Sequence, residues 1–235
     1  MNNIRKVGFI CPMDCELDAV TRLMTEVTER VFGALTFYEG KIGACDAVAV
    51  KCGVGKVFAA IAAEAMILGF SPDLVINTGV AGNLSDGLSI GDVVVSESVV
   101  QHDMDTSPLG DPVGLVSGIN VIRFPANDRM YTELSRSADA LGINNRVGTI
   151  ASGDQFIASS ERKNFIKDNF SAIACEMEGA AIGHVCYVND VPFAVVRAIS
   201  DSADDSSGMD YGEFLALAAE RSFGVVSSFV EKFEI

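Results

Sequence analysis

Residues 53–83, GVGKVFAAIAAEAMILGFSPDLVINTGVAGN, carry the pattern that decides the fold. A glycine turn, Gly53-Val54-Gly55, opens an alanine-rich helix that runs to Leu68. Alanine gives up no side-chain freedom in a helix, so the run is strongly helical. Asp73–Asn77, DLVIN, then reads as a buried strand that stops at Thr78-Gly79. A strand that is apolar without alternation must be covered on both faces, which is the condition of a parallel sheet flanked by helices.

The same alternation extends in both directions. Lys6–Cys11 reads as a first strand, followed by a helix over 14–25 with Leu17, Val20 and Leu23/Met24 on one face. Thr36–Gly40 and Ala47–Cys52 form a hairpin around IGACD. Asp92–Val100 is a long strand, and residues 104–118 a loop rich in proline and glycine. Unstructured loops of this length in a compact domain are usually functional or disordered. Strands follow over 119–123, 146–152, 172–176 and 193–199, with helices over 127–141, 160–168 and 178–188. The last helix starts at Asp210, with Glu213 completing a capping box, and buries Phe214, Ala218, Val225 and Phe229. Strands alternating with helices imply a mostly parallel sheet covered on both faces. No linker, repeat or low-complexity segment divides the chain, so residues 1–235 are read as a single domain.

The composition bounds the function. The chain is 49% hydrophobic and 21% charged, enough to build a large core. A mean hydropathy of +0.32 leaves apolar surface for an oligomer interface. The net charge of −15 disfavours nucleic acid and anionic membranes as partners, not a small neutral ligand. No apolar run reaches the ~18 residues of a membrane helix, and VGFIC is too short for a signal-peptide core of roughly 7–15 residues. The protein is read as cytoplasmic. Its six cysteines (11, 15, 45, 52, 175, 186) contain no CxxC pair and, with His102 and His184, no zinc pattern. They are read as reduced core residues.

In folds of this class chemistry gathers beyond the carboxyl ends of strands. Three carboxylates fall there: Glu16, Glu178 and Asp201, with glycine turns between them. ACEMEGAAIGH, 174–184, sets Glu176 and Glu178 in an apolar run, where ionised carboxylates are costly unless something holds them. Arg197, embedded in FAVVRAIS, needs a buried partner, and Glu176 or Glu178 can supply it. A structural ion pair explains the three residues as well as a functional site does. GVGK (53–56) lacks the full phosphate-loop pattern and reads as a glycine turn into a helix. His102-Asp103-x-Asp105 lacks further ligands at metal spacing and reads as ordinary polar residues.

Taken together, CPMDCELDAV, CGVGKV, VINTGVAGNL, GDVVVSE…HD, SGDQFI, CEMEGAAIGHV and VRAISDSAD resemble the 5′-methylthioadenosine/S-adenosylhomocysteine nucleosidases of the nucleoside phosphorylase/hydrolase superfamily, in order and over almost the whole chain. The resemblance implies a three-layer α/β/α fold with a mixed, mostly parallel twisted sheet, a homodimer, no metal and no organic cofactor. It implies hydrolysis of the N-ribosidic bond of adenine thionucleosides. Glu16 matches the acid/base that works on water, and Asp201 the acid that protonates adenine N7. Glu178 matches the carboxylate on the ribose hydroxyls, beside Met177 under the sugar. Phe156 matches the ring stacked on adenine, Ile157 the backbone that reads its edge, and Arg197 an arginine near the ribose-binding glutamate. Met13, Val54, Val80, Ala81, Gly82, Ser200 and Tyr211 match further positions around the substrate.

The chain departs from the family in places. Val80 stands where TGSAGG has serine, Asn83 replaces a glycine, and Tyr211 stands where phenylalanine is usual. The lid, usually aromatic, is here TSPLGDPVG, with Thr106 and Leu109; the resemblance implies that loop 104–118 reaches the neighbouring subunit's site. Alternative functions are a phosphorylase of the same superfamily, a nucleosidase for another adenine riboside such as aminofutalosine, and a nucleoside-binding protein without turnover. Asn77 counts against phosphorolysis, because it stands where phosphorylases typically carry an arginine.

Overall fold

The structure, a computed structural model, describes residues 6–204 and 207–232; the side chains at 208–210, 213 and 232 lie outside the described residues. In chain order the elements are β1 (Lys6–Cys11), α1 (Asp14–Thr21), β2 (Thr25–Phe32), β3 (Leu35–Ile42), β4 (Cys45–Lys51), α2 (Lys56–Phe70), β5 (Leu74–Asn83) and β6 (Val93–Gln101). They continue with β7 (Arg123–Pro125), α3 (Asp128–Ala140), β8 (Asn145–Ser152), α4 (Ser160–Phe170), β9 (Ala172–Glu176), α5 (Gly179–Val188), β10 (Phe193–Asp201) and α6 (Ser207–Lys232).

The layers follow from side-chain alternation. Val7, Phe9 and Cys11 of β1 pack on one side with Leu17 and Val20 of α1, Leu134 of α3 and Phe229 of α6. Ile10 faces the other way, into Ala59, Ala63 and Met66 of α2 and Ala180 and Ile182 of α5. The sheet is therefore covered on both faces by helices. Its order is β10-β6-β8-β9-β5-β1-β4-β3-β2, with β7 on β6. β10 pairs with β5 as well as β6, so β5, β9, β8, β6 and β10 close into a ring. The sheet is mixed: β1 is parallel to β4 and β5, whereas β2, β3 and β4 form an antiparallel extension.

Several elements differ from the sequence reading. The helix expected over 14–25 ends at Thr21; Leu23 and Met24 lie in the turn that follows, and β2 begins at Thr25. β2 is an exposed edge strand, so no burial pattern marks it in TEVTERVF. β5 does not stop at Thr78-Gly79. It continues to Asn83 because Gly79, Val80 and Ala81 pair with Arg197, Ala198 and Ile199, and Gly82 then pairs with Cys175. In place of a strand over 119–123 there is a bridge between Val116 and Val121, and only Arg123–Pro125 pairs with β6. Asn120, between them, takes a left-handed conformation with φ 55°. α6 begins at Ser207 rather than Asp210, and the capping box read at Asp210 and Glu213 lies outside the described side chains. Phe214 is half-buried rather than buried, while Ala218, Val225 and Phe229 are in the core. Five cysteines are buried, but Cys15 is exposed. Loop 104–118 is built on a short 3-10 turn, Ser107–Leu109, with Thr106 Oγ1 donating to Asp111 Oδ2 at 2.8 Å.

Candidate active site

The rim of the ring collects the site residues. Glu16 sits one turn into α1, directly after β1, and its Oε2 folds back to accept the Met13 N–H at 2.9 Å. Asp201 ends β10; its Oδ2 accepts from Ser200 Oγ and its Oδ1 from the Ala203 N–H, each at 2.9 Å. β9 meets the far end of β5 in antiparallel sense, which lands Cys175 beside Gly82, while Glu176 pairs with Ser152 of β8; Glu178, two residues on, lines the same cavity.

These groups face one cavity of about 550 Å³, open mouth included. Every candidate named from the sequence lines it: Met13, Glu16, Val54, Val80, Ala81, Gly82, Phe156, Ile157, Met177, Glu178, Arg197, Ser200, Asp201 and Tyr211. The structure brings these residues together; what each does there belongs to the proposal below. Phe156 stands 48% exposed at the mouth, edge-on to Tyr211 with ring centroids 5.5 Å apart. Tyr211 in turn donates to Met13 Sδ at 3.3 Å, which ties α6 to the start of α1. No side chain of residues 104–118 lines the cavity.

The two glutamates of ACEMEG are held differently. Glu176 is saturated: it accepts the N–H groups of Glu178 and Gly179, at 3.0 Å and 2.8 Å to Oε2, the Ser152 hydroxyl, and the Arg197 guanidinium. Glu178 takes one N–H, from Gly55 at 2.9 Å, and a 3.3 Å contact with Arg197 Nη2. Both possible partners of Arg197 are therefore partners in fact, with Glu176 the closer. Sequence reasoning missed two supports: Ser152 carried no signal, and GVGK is more than a turn because the Gly55 N–H reaches Glu178. Glu176, read from the sequence as a possible partner of Arg197, also lines the cavity. Pro12, Gln155 and Cys175 also line the cavity.

One buried guanidinium thus serves three buried carboxylates, Glu16, Glu176 and Glu178. Removing a carboxylate from water disfavours its charged form. Burial pushes the Glu16 carboxyl up to about 7, against the pull of Arg197 and the Met13 N–H, and with a push from Glu178. Burial raises Glu178 too, opposed by Arg197 and reinforced by Glu176. Among the described residues Glu16 Oε1 is buried without a hydrogen-bond partner. The site can therefore hold or release a proton near neutral pH, which is what a general acid/base needs.

The surrounding polar residues are accounted for otherwise. Asp103 pairs with Lys56 at 2.6 Å, and His102 is buried against Gly153 beside Arg162. Among the described residues no group of three or more His, Cys, Asp or Glu side chains is arranged to hold a metal ion. Nor is any described helix long and apolar enough to cross a membrane.

Comparison with known proteins places this geometry. Residues 6–231 match the family model of the phosphorylase superfamily. Over 230 residues the chain is 39% identical to the 5′-methylthioadenosine/S-adenosylhomocysteine nucleosidase of Actinobacillus succinogenes, covering 97% of this chain and 100% of that one. The corresponding nucleosidase of Neisseria meningitidis, solved in complex with methylthio-immucillin-A, superposes with a TM-score of 0.94 at 36% identity, over 97% of this chain and 99% of that one. The futalosine hydrolase of Helicobacter pylori superposes with a TM-score of 0.93 at 33% identity, over 97% and 98% of the two chains.

Proposed function

This chain belongs to the phosphorylase superfamily and, within it, to the 5′-methylthioadenosine/S-adenosylhomocysteine nucleosidases, and on that premise we infer how it works. It is an N-glycosyl hydrolase that splits the N-ribosidic bond of adenine thionucleosides into adenine and a thioribose. One observation carries the assignment of roles: Glu16, Glu178 and Asp201, from three separate segments, line a single cavity with one guanidinium among them.

Breaking an N-riboside gives a sugar with oxocarbenium character and a purine that leaves poorly as an anion. Asp201 supplies the proton that lets adenine leave, at N7. Glu178 accepts hydrogen bonds from the ribose hydroxyls, and its negative charge favours the developing cation. Glu16 takes the proton of the water that attacks the anomeric carbon. The proton given up by Asp201 ends on adenine, and the one from water ends on Glu16. Burial of Glu16 supports this role, since a carboxyl near 7 is matched to proton transfer at neutral pH. Phe156 stacks on the base, and Ile157 offers its backbone to the base edge. Met13, Val54, Val80, Ala81, Gly82, Met177, Ser200 and Tyr211 form the remaining walls.

Phosphorolysis is disfavoured by Asn77. It is fully buried, gives its amide to the Ile10 carbonyl at 2.9 Å and lends its oxygen to Arg197. The experiment is a nucleoside panel in phosphate-free buffer, read by adenine release. Methylthioadenosine and adenosylhomocysteine should be cleaved; strict dependence on added phosphate would overturn hydrolysis. The likeness to futalosine hydrolase supports a second reading, an aminofutalosine nucleosidase, and preference for that compound in the same panel would establish it.

The working unit is a single-domain protein paired as a homodimer in the cytoplasm, serving methionine salvage. Exposed Val57, Phe58, Ile61 and Leu68 on α2, with Tyr187 and Val188 on α5, support the dimer, as apolar surface of this extent on neighbouring helices calls for a partner. Leu109, 84% exposed and outside the lining of the site cavity, supports a reach of loop 104–118 into the neighbouring site.

A further inference from the structure

Lys56 is the part of GVGK that the roles above leave unused. Its ammonium donates to Asp103 Oδ1 at 2.6 Å and to Gln101 Oε1 at 3.2 Å. The other oxygen of Asp103 accepts the Asp154 N–H at 2.9 Å. Asp154 closes the ring: its Oδ1 accepts the backbone N–H of Lys56 at 2.7 Å. Three residues from three segments thus form a closed cycle of hydrogen bonds, at the start of α2, just past β6 and in the loop after β8. The Asp154 carboxylate lies at the α2 N-terminus, where the helix dipole favours negative charge. The Lys56 and Asp103 side chains are each only 18% exposed, so the ion pair is less screened than a surface one.

Each arm of the cycle leads straight into the cavity. Gly55, the residue before Lys56, gives its N–H to Glu178. The fit there is close, because a Cβ on Gly55 would stand 3.0 Å from Asp154 Oδ1. Phe156 follows Asp154 by two residues, and Val54 precedes Lys56 by two; both line the cavity. Glu16 and Asp201 take their hydrogen bonds from elsewhere, the Met13 N–H for one and the Ser200 hydroxyl and Ala203 N–H for the other.

We propose that Lys56 and Asp103 are positioning residues: with Asp154 they clamp the loop carrying Phe156 to the turn carrying Gly55, and so hold the stacking ring and the Glu178 carboxylate at a fixed spacing. The inference rests on the functional reading above, in which Phe156 meets the base and Glu178 the ribose. Losing the clamp therefore weakens the grip on base and sugar together while leaving proton transfer in place. Its signature is a rise in KM rather than a fall in kcat.

The test uses the full chain with Lys56→Gln, Asp103→Asn, the double variant and Lys56→Arg. Adenine release gives KM and kcat, and amide hydrogen exchange reads segments 53–57 and 153–157. Both single variants should raise KM about tenfold and change kcat less than about threefold, as befits a charged hydrogen bond. The double variant should fall within about twofold of either single, because one interaction is lost in each case. Lys56→Arg should return to within about threefold of wild type. Exchange in both segments should quicken about tenfold or more in the Gln and Asn variants, with β5 unchanged. Unaltered exchange in the two segments overturns the clamp, whatever the activity. Quicker exchange with KM within twofold of wild type, or a loss confined to kcat, overturns its role in positioning. A wild-type chain that releases no adenine from any riboside overturns the functional reading instead, and exchange then decides the clamp alone.

Discussion

Glu176 and Glu178 carry the same group two residues apart, yet their surroundings give them different work. Glu176 has its oxygens filled by backbone, Ser152 and Arg197, so it anchors the turn into α5. Glu176→Gln leaves Arg197 short of its nearest counter-charge, and unfolding in urea should show a loss of roughly 3–5 kcal/mol. Glu178→Gln should keep most of that stability and lose turnover. Glu16→Gln and Asp201→Asn should each lower kcat by roughly 10²–10⁴-fold with substrate binding retained; near-normal rates in either variant would mean its role is misassigned.

Glu16 also links stability to pH. Its folded pKa, about 7, lies above the ordinary 4.5, so the folded protein binds this proton more tightly than the unfolded chain does. The resulting stability is complete below about 4.5 and is lost as pH rises through 7. Glutamine does not ionise, so Glu16→Gln should gain on wild type as pH rises from 5 to 8, by up to roughly 3 kcal/mol. Thermal unfolding at the two pH values checks this; an equal Tm difference at both would show that burial does not perturb the carboxyl.

Among the elements, β5 shapes the site most. TGVAGN looks like a turn, but it is extended backbone whose glycines leave room for other side chains. A Cβ on Gly79 would collide with Arg197 Nη1 and stand 2.7 Å from Glu16 Oε1. Gly79→Ala should therefore displace both groups. We expect at least a tenfold loss of kcat/KM, and a variant with normal kinetics would show that the contact relaxes at little cost. The same element marks where the sequence stops being legible. Glycine spacing reports that something special happens at 78–83, not whether the chain turns or another side chain moves in. DLVIN and KVGFIC were readable because burial on both faces leaves a continuous apolar run, and α2 because its alanines favour the helix. β2 was not, because an exposed edge strand has no buried face to write into TEVTERVF. The site residues came from motif likeness and strand-end position. The supports Ser152 and Gly55 stayed hidden because a hydroxyl or an N–H aimed at a carboxylate has no spacing rule.

At the scale of the molecule, the proposed dimer rests on the exposed apolar residues of α2. Phe58→Glu places a charge in the proposed dimer face. Sedimentation should show a monomer where wild type is a dimer, with activity reduced if loop 104–118 completes the neighbour's site. An unchanged sedimentation coefficient would move the interface elsewhere.

The closed ring of five strands has a consequence for descent. Arg197, Asp201 and Glu176 sit on strands with no free edge, so they cannot shift without breaking the ring. Val54, Phe156 and the tip at Leu109 hang outside it on connecting segments. Selection could trade one nucleoside for another by rewriting side chains there, so long as the Gly55 N–H still meets Glu178. In such a lineage, change of diet comes cheaply and change of chemistry hardly at all.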